Sequence, residues 1–159
     1  MENNKVNVLV YPSGGENAIN IYNALKYNLH FELFGASMTG NYSSILYDKE
    51  HYYEGNLSIK NPNFFLEFNS ILEKFNIKYI LCTHDEVITF LMKNEKKINA
   101  TICSSPLETT IIAGNKYLTH EKFKNKEYSI RTYGIDEKIE YPIFLKPYIG
   151  ARRKKYNKS

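Results

Sequence analysis

A chain of 159 residues with 43% apolar content is long enough for one domain and one core, or for one domain and a piece of another. The formal charge of +4 would favour a nucleic-acid partner only if it were spread over a folded face. It is not: Arg152, Arg153, Lys154, Lys155 and Lys158 stand together at the end, leaving 16 basic against 17 acidic residues in 1–151.

In chain order, "VNVLVY" (6–11) is a short continuous apolar run, the form of a strand covered on both faces in a parallel sheet. "PSGGE" (12–16) breaks it, and residues 16–27 read as a helix with Ala18, Ile21, Tyr22 and Leu25 at helical spacing. "FELFGAS" (31–37) is a second strand, and "HYYEG" is a loop or an edge strand. In "NPNFFLEFNSILEKFN", Asn61 suits an N-cap and Pro62 the first helical position, ahead of a broad face of Phe64, Phe65, Phe68, Ile71, Leu72 and Phe75. "KYILCTHDE" is a strand running into polar residues and then into a helix with Val87, Ile88, Leu91 and Met92 inward. "ATICSS" is the last strand of the set. After it, Ser105 is placed as N-cap, Pro106 as the first helical residue and Glu108 in the capping-box position, with Gly114 ending the helix.

Alternation of strands and helices predicts an α/β fold with a doubly wound parallel sheet, and ligands in the crevice at the carboxyl ends of the strands. Residues 1–112 complete that domain. Residues 113–151 read as a short helix, a polar connection and one strand, too little to bury a core alone. Residues 152–159 read as a basic, disordered tail. Without interleaved aromatics it is a poor nucleic-acid site. Cys82 and Cys103 fall in strands expected to be buried and lack CxxC spacing, so neither a metal site nor a disulfide framework is expected. The N-terminal apolar run is too short for a signal peptide and no stretch reaches membrane length, so the expected location is cytoplasmic, away from the membrane.

Three places could carry chemistry. Ser13, Gly14 and Gly15 lie between a strand and a helix, where backbone N–H groups can meet an anion or where a turn simply needs glycine. His84, Asp85 and Glu86 sit at the mouth of the fourth strand. They could hold an amine, a hydroxyl or a water, or could serve as helix-terminal residues favoured by the macrodipole. Lys146, in "IFLKP", is a cation in an apolar strand; it either reaches a bound phosphate or snorkels to water from an edge strand. A glycine fingerprint for nicotinamide cofactors is absent after the first strand.

"SSPLETTIIAGNKYLTHEKF", followed about thirty residues after Lys116 by "YPIFLKPYIGA", resembles the ATP-grasp superfamily, in particular carbamoyl-phosphate-synthase-like proteins. The resemblance implies a Rossmann-like preATP-grasp domain over 1–112 and the start of an ATP-grasp module over 113–151. It implies that Lys116 and Lys146 contact ATP phosphates, and that the full-length family joins a carboxylate to an amine or thiol with ATP and Mg2+. No cofactor is expected to stay bound to this chain alone. Asn115 stands where the family has Asp, and should still cap a helix. Where the family continues into a glycine-containing loop, this chain reads "RRKKYNKS". The expectation is therefore the front end of a longer ligase, cut short by a frameshift, a split gene or a designed end, and inactive by itself. The alternative expectation is a non-catalytic domain that binds a small molecule or a protein. A homodimer is plausible in either case, because Ile143, Phe144 and Leu145 would be left uncovered.

Overall fold

The computed structural model describes residues 5–38, 42–134, 136–144 and 147. Lys146, Leu145 and the basic segment 152–159 lie outside the described residues. The elements are β1 (Val6–Tyr11), α1 (Glu16–Leu25), β2 (Phe31–Ser37), β3 (Tyr52–Glu54), α2 (Phe64–Lys74), β4 (Tyr79–Cys82), α3 (Asp85–Lys93), β5 (Thr101–Cys103), α4 (Leu107–Gly114) and α5 (Lys116–Phe123). Short 3₁₀ turns join β2 to β3 and α3 to β5.

The five strands form one sheet in the order β3-β2-β1-β4-β5, and every pairing is parallel. The chain begins in the middle of the sheet, winds outward through β2 to β3, then returns to lay β4 against the free side of β1 and β5 beyond it. The strand order therefore reverses between β1 and β4, which opens a crevice at their carboxyl ends.

Parallel strands need cover on both faces, and two apolar clusters supply it. On one face Leu9, Tyr11, Phe34, Ala36, Ile80 and Ile102 meet Phe64, Phe68, Ile71 and Leu72 of α2 and Val87 and Leu91 of α3. On the other, Val8, Leu33 and Tyr47 meet Tyr22 and Leu25 of α1, with Leu81 packed alongside. The i, i+4, i+7, i+8 spacing of the four buried residues of α2 is why that helix exists here: it turns one continuous stripe to the sheet.

Cover on the α1 face ends before the edge of the sheet. Cys103 pairs in register with Leu81 and is exposed, and Tyr79 is 41% exposed. The expectation of a buried Cys103 is thus corrected, since the cluster beneath α1 extends to Leu81 and no further. Cys82, on the α2 and α3 face, is half-buried, and both thiols are free.

Two helix starts also differ from expectation. The N-cap of α2 is Asn63, and Asn61 instead closes an Asx turn: its Oδ1 accepts the Asn63 N–H at 3.0 Å while its carbonyl accepts that of Phe64 at 3.0 Å. The N-cap position of α4 falls to Pro106, whose carbonyl accepts the Thr110 N–H at 3.1 Å, so Ser105 stands one residue outside the helix. Asn115 behaves as expected: its Oδ1 accepts the N–H groups of Tyr117 at 3.0 Å and Leu118 at 3.2 Å, capping α5.

Beyond α5 the described residues form neither helix nor strand. The strand expected around Lys146 does not form over its described part, where Tyr141 is 81% and Phe144 74% exposed. A strand needs a neighbour, and the described edges of the sheet are the short β3 and β5, which 141–144 does not join. Among the described residues no helix is long and apolar enough to cross a membrane.

Candidate functional site

β1 delivers the chain into residues 12–15, which turn into α1 with Gly15 as N-cap in an extended conformation and no side-chain cap. Ser13 is fully buried and ties this turn down: its N–H and its Oγ both donate to the Ala36 carbonyl, at 2.8 and 3.0 Å. Its hydroxyl proton is therefore committed to the end of β2.

The second loop is stitched to the first. The Thr83 N–H donates to the Tyr11 carbonyl at 3.1 Å, its Oγ1 donates to the Pro12 carbonyl at 2.6 Å, and Asn17 Nδ2 donates to the Thr83 carbonyl at 3.4 Å. His84 then stands as the N-cap of α3, in extended backbone, with its side chain exposed. Its Nε2 lies 3.7 Å from where a Cβ on Gly15 would be. Asp85 and Glu86 occupy the first turn of α3, where a carboxylate is favoured by the unpaired N–H groups of the helix end.

α4 packs against α3, and its last residue brings α5 to the same place: a Cβ on Gly114 would stand 3.8 Å from Cβ of Asp85. Asn115 and the half-buried Lys116 follow directly. The structure thus brings together Gly15, His84, Asp85 and the start of the Lys116 helix. Lys146 lies outside the described residues.

Between α1 and the segment that leads from β4 into α3 is an open cleft of about 450 Å³, with Asn17, Asn20 and Ile21 of α1 on one wall and Thr83, His84 and Asp85 on the other. Asn17 and Asn20 were not singled out from the sequence. The available signal was two asparagines three residues apart, just inside a helix that follows a glycine turn. Cys82 also borders the cleft, and burial pushes its thiol up to about 11, so at neutral pH it is a protonated, poorly nucleophilic thiol. Among the described residues no group of three or more His, Cys, Asp or Glu side chains is placed to hold a metal ion.

The fold and cleft define a Rossmann-like α/β protein with a crevice at the reversal point of its sheet. No family model matches the chain, and no curated protein matches it.

Proposed function

We propose that this chain is the N-terminal part of an ATP-dependent carboxylate–amine (or thiol) ligase of carbamoyl-phosphate-synthase-like type. In this reading the sheet domain holds a small substrate in the cleft between α1 and the β4–α3 junction, beside residues 12–15 and next to the start of the ATP-binding segment. The observation that supports it is the succession of neighbours at the cleft mouth, Gly15 beside His84 and Asp85 beside Gly114. That succession sets the helix beginning with Lys116 beside the substrate cleft, as a phosphate-contacting lysine would require. Catalysis in such ligases is positioning plus charge stabilisation of a transferred phosphoryl group, with magnesium as the clamp. The stretch carrying the resemblance supplies Lys116 and Lys146 to that scheme and no magnesium-holding carboxylates, so the 159-residue chain alone is expected to ligate nothing.

A ligand that binds only the folded state stabilises it, by about 2.7 kcal/mol at a hundred times its dissociation constant. Nucleotide is not expected to stay with the purified chain, but excess ATP with Mg2+ should raise its melting temperature. Lys146→Ala or Lys116→Ala should abolish the rise, and Lys158→Ala should leave it intact. A rise that survives both substitutions, or none in the unaltered chain, would remove the ligase reading.

A second reading is favoured by one observation: both walls of the cleft come from elements that precede α4, so a ligand could be held without any ATP module. On that reading the chain is a non-catalytic domain binding a small molecule or a protein, and ATP would not stabilise it.

A further inference from the structure

The segment between β2 and β3 packs against β2. Its described part from residue 42 onward holds two 3₁₀ turns, Tyr42–Leu46 and Lys49–His51, and leads into the three-residue β3 at the edge of the described sheet. Rings seat it. Tyr47 occupies the space that Gly35 leaves open, with the ring of Tyr22 edge-on at 4.9 Å and that of Tyr52 at 5.7 Å, and the His51 ring lies 4.4 Å from that of Phe34. Among the described residues, the backbone bonds of 42–51 outside its turns also stay within it: the Tyr47 N–H donates to the Ser44 carbonyl at 3.3 Å and the His51 N–H to the Asp48 carbonyl at 2.8 Å.

This seat works against itself. Tyr47 is 7% exposed, and its hydroxyl and that of Tyr52 are shut away from water without a hydrogen-bond partner. Burial also raises the Tyr47 phenol far above its ordinary range, as expected of a hydroxyl taken out of water. A buried donor left unbonded penalises only the closed arrangement, because an opening that returns both hydroxyls to water satisfies both at once. The ladder that resists such an opening is short: β3 pairs with β2 over three residues. Local opening begins where short ladders and few buried bonds hold an element.

We infer that residues 42–54 form a cover that opens as one unit ahead of the rest of the domain, leaving β2 as the edge of the sheet. Opening bares the sheet at Gly35 and frees the backbone groups with which β2 holds β3, the kind of edge that accepts another strand. It does so beside the anchor of residues 12–15. Ser13 donates to the Ala36 carbonyl, one residue from the Ser37 carbonyl that accepts the Gly55 N–H at 3.1 Å.

Amide hydrogen exchange on the full 159-residue chain, followed residue by residue, tests this. The amides of 52–55 should exchange well ahead of those of Leu9 and Val10 in β1 and Ile71 and Leu72 in α2. Low urea should leave their rate nearly unchanged, since a local opening exposes little surface. Fraying of an edge strand alone would give that much, so the deciding variants are Tyr47→Phe and, separately, Tyr52→Phe. Each should slow exchange at 52–55 about tenfold, by removing one buried hydroxyl that has no partner, while β1 and α2 keep their order of protection. Exchange at 52–55 that matches β1 and α2 and accelerates with them in urea would overturn the inference. So would unchanged or faster exchange in both phenylalanine variants, which would mean that the closed state satisfies the two hydroxyls.

Discussion

Phe68→Ala is expected to lower the unfolding free energy by about 3–5 kcal/mol, the range for truncating a large aromatic in a packed core. Phe68 is 0% exposed and sits where α2 meets the middle of the sheet. Its ring stands 5.0 Å from that of Tyr11 on β1 and 5.0 Å from that of Phe64, with which it is stacked. Those neighbours are pinned and cannot collapse into the space. Tyr11 is itself almost completely buried and donates its hydroxyl to the Leu57 carbonyl, and Phe64 is wedged edge-on against Phe65 and Phe90. A domain of this size is typically stable by only about 5–15 kcal/mol, so the loss is a large share of the total. Urea unfolding measures it: the midpoint should fall steeply with little change in slope. A midpoint shift equivalent to less than about 1 kcal/mol would mean that α2 does not pack against β1 as described.

Gly35→Ala is the second large effect, an expected loss of about 1–3 kcal/mol from overpacking. Gly35 lies in β2 between β1 and β3, and the new Cβ would stand 2.8, 2.9 and 3.0 Å from three atoms of the Tyr47 ring. The glycine is there for space. The ring cannot easily retreat, because Tyr22 of α1 meets it edge-on at 4.9 Å and Tyr52 lies 5.7 Å away on a third side. The hydroxyls of Tyr47 and Tyr52 are buried without a hydrogen-bond partner, so the pocket is held by shape and ring contacts. The causal claim is checked by a double-mutant cycle. Paired with Tyr47→Leu, the alanine should cost much less than it does alone, since the two positions share one space. Strict additivity would show that the ring is not what the Cβ meets.

Much of the fold was legible because it is written in short-range pattern. The run "FELFGAS" has the bounds of β2, and the aromatic stripe of "FFLEFNSILEKF" forms α2 almost to the residue. Where the reading slipped, a local competitor had the same vocabulary. Asn61 with Pro62 spells a helix cap and also an Asx turn, and the turn wins because it leaves Asn63 to take the cap position. Ser105 lost its role because Pro106, with ψ of 150°, is still extended and cannot be the first helical residue. The two loops, one lining the cleft and one beside it, were legible from their places after β4 and β1. Their stitching through Thr83, and the arrival of Gly114 beside Asp85, were not, since they depend on how α3 meets α4. No periodicity encodes that packing.

The composition carried another lesson. "IFLKP" has the apolar character of a strand, yet the described residues 141–144 pair with nothing, and Phe144 stays exposed. Apolar pattern proposes a strand, but only a neighbouring edge makes one. The roles assigned to Lys116 and Lys146 rest on the family resemblance and stand or fall with the nucleotide titration.

The account depends throughout on the loops after β1 and β4 meeting as one site. Proton–proton cross-relaxation between the His84 imidazole and the Gly15 α-protons tests that most directly, because the imidazole Nε2 lies 3.7 Å from the place of a Gly15 Cβ. A clear cross-peak between them, unaffected by dilution, is the expected result. Its absence in a well-dispersed spectrum, with the imidazole showing contacts to other elements instead, would contradict the site itself.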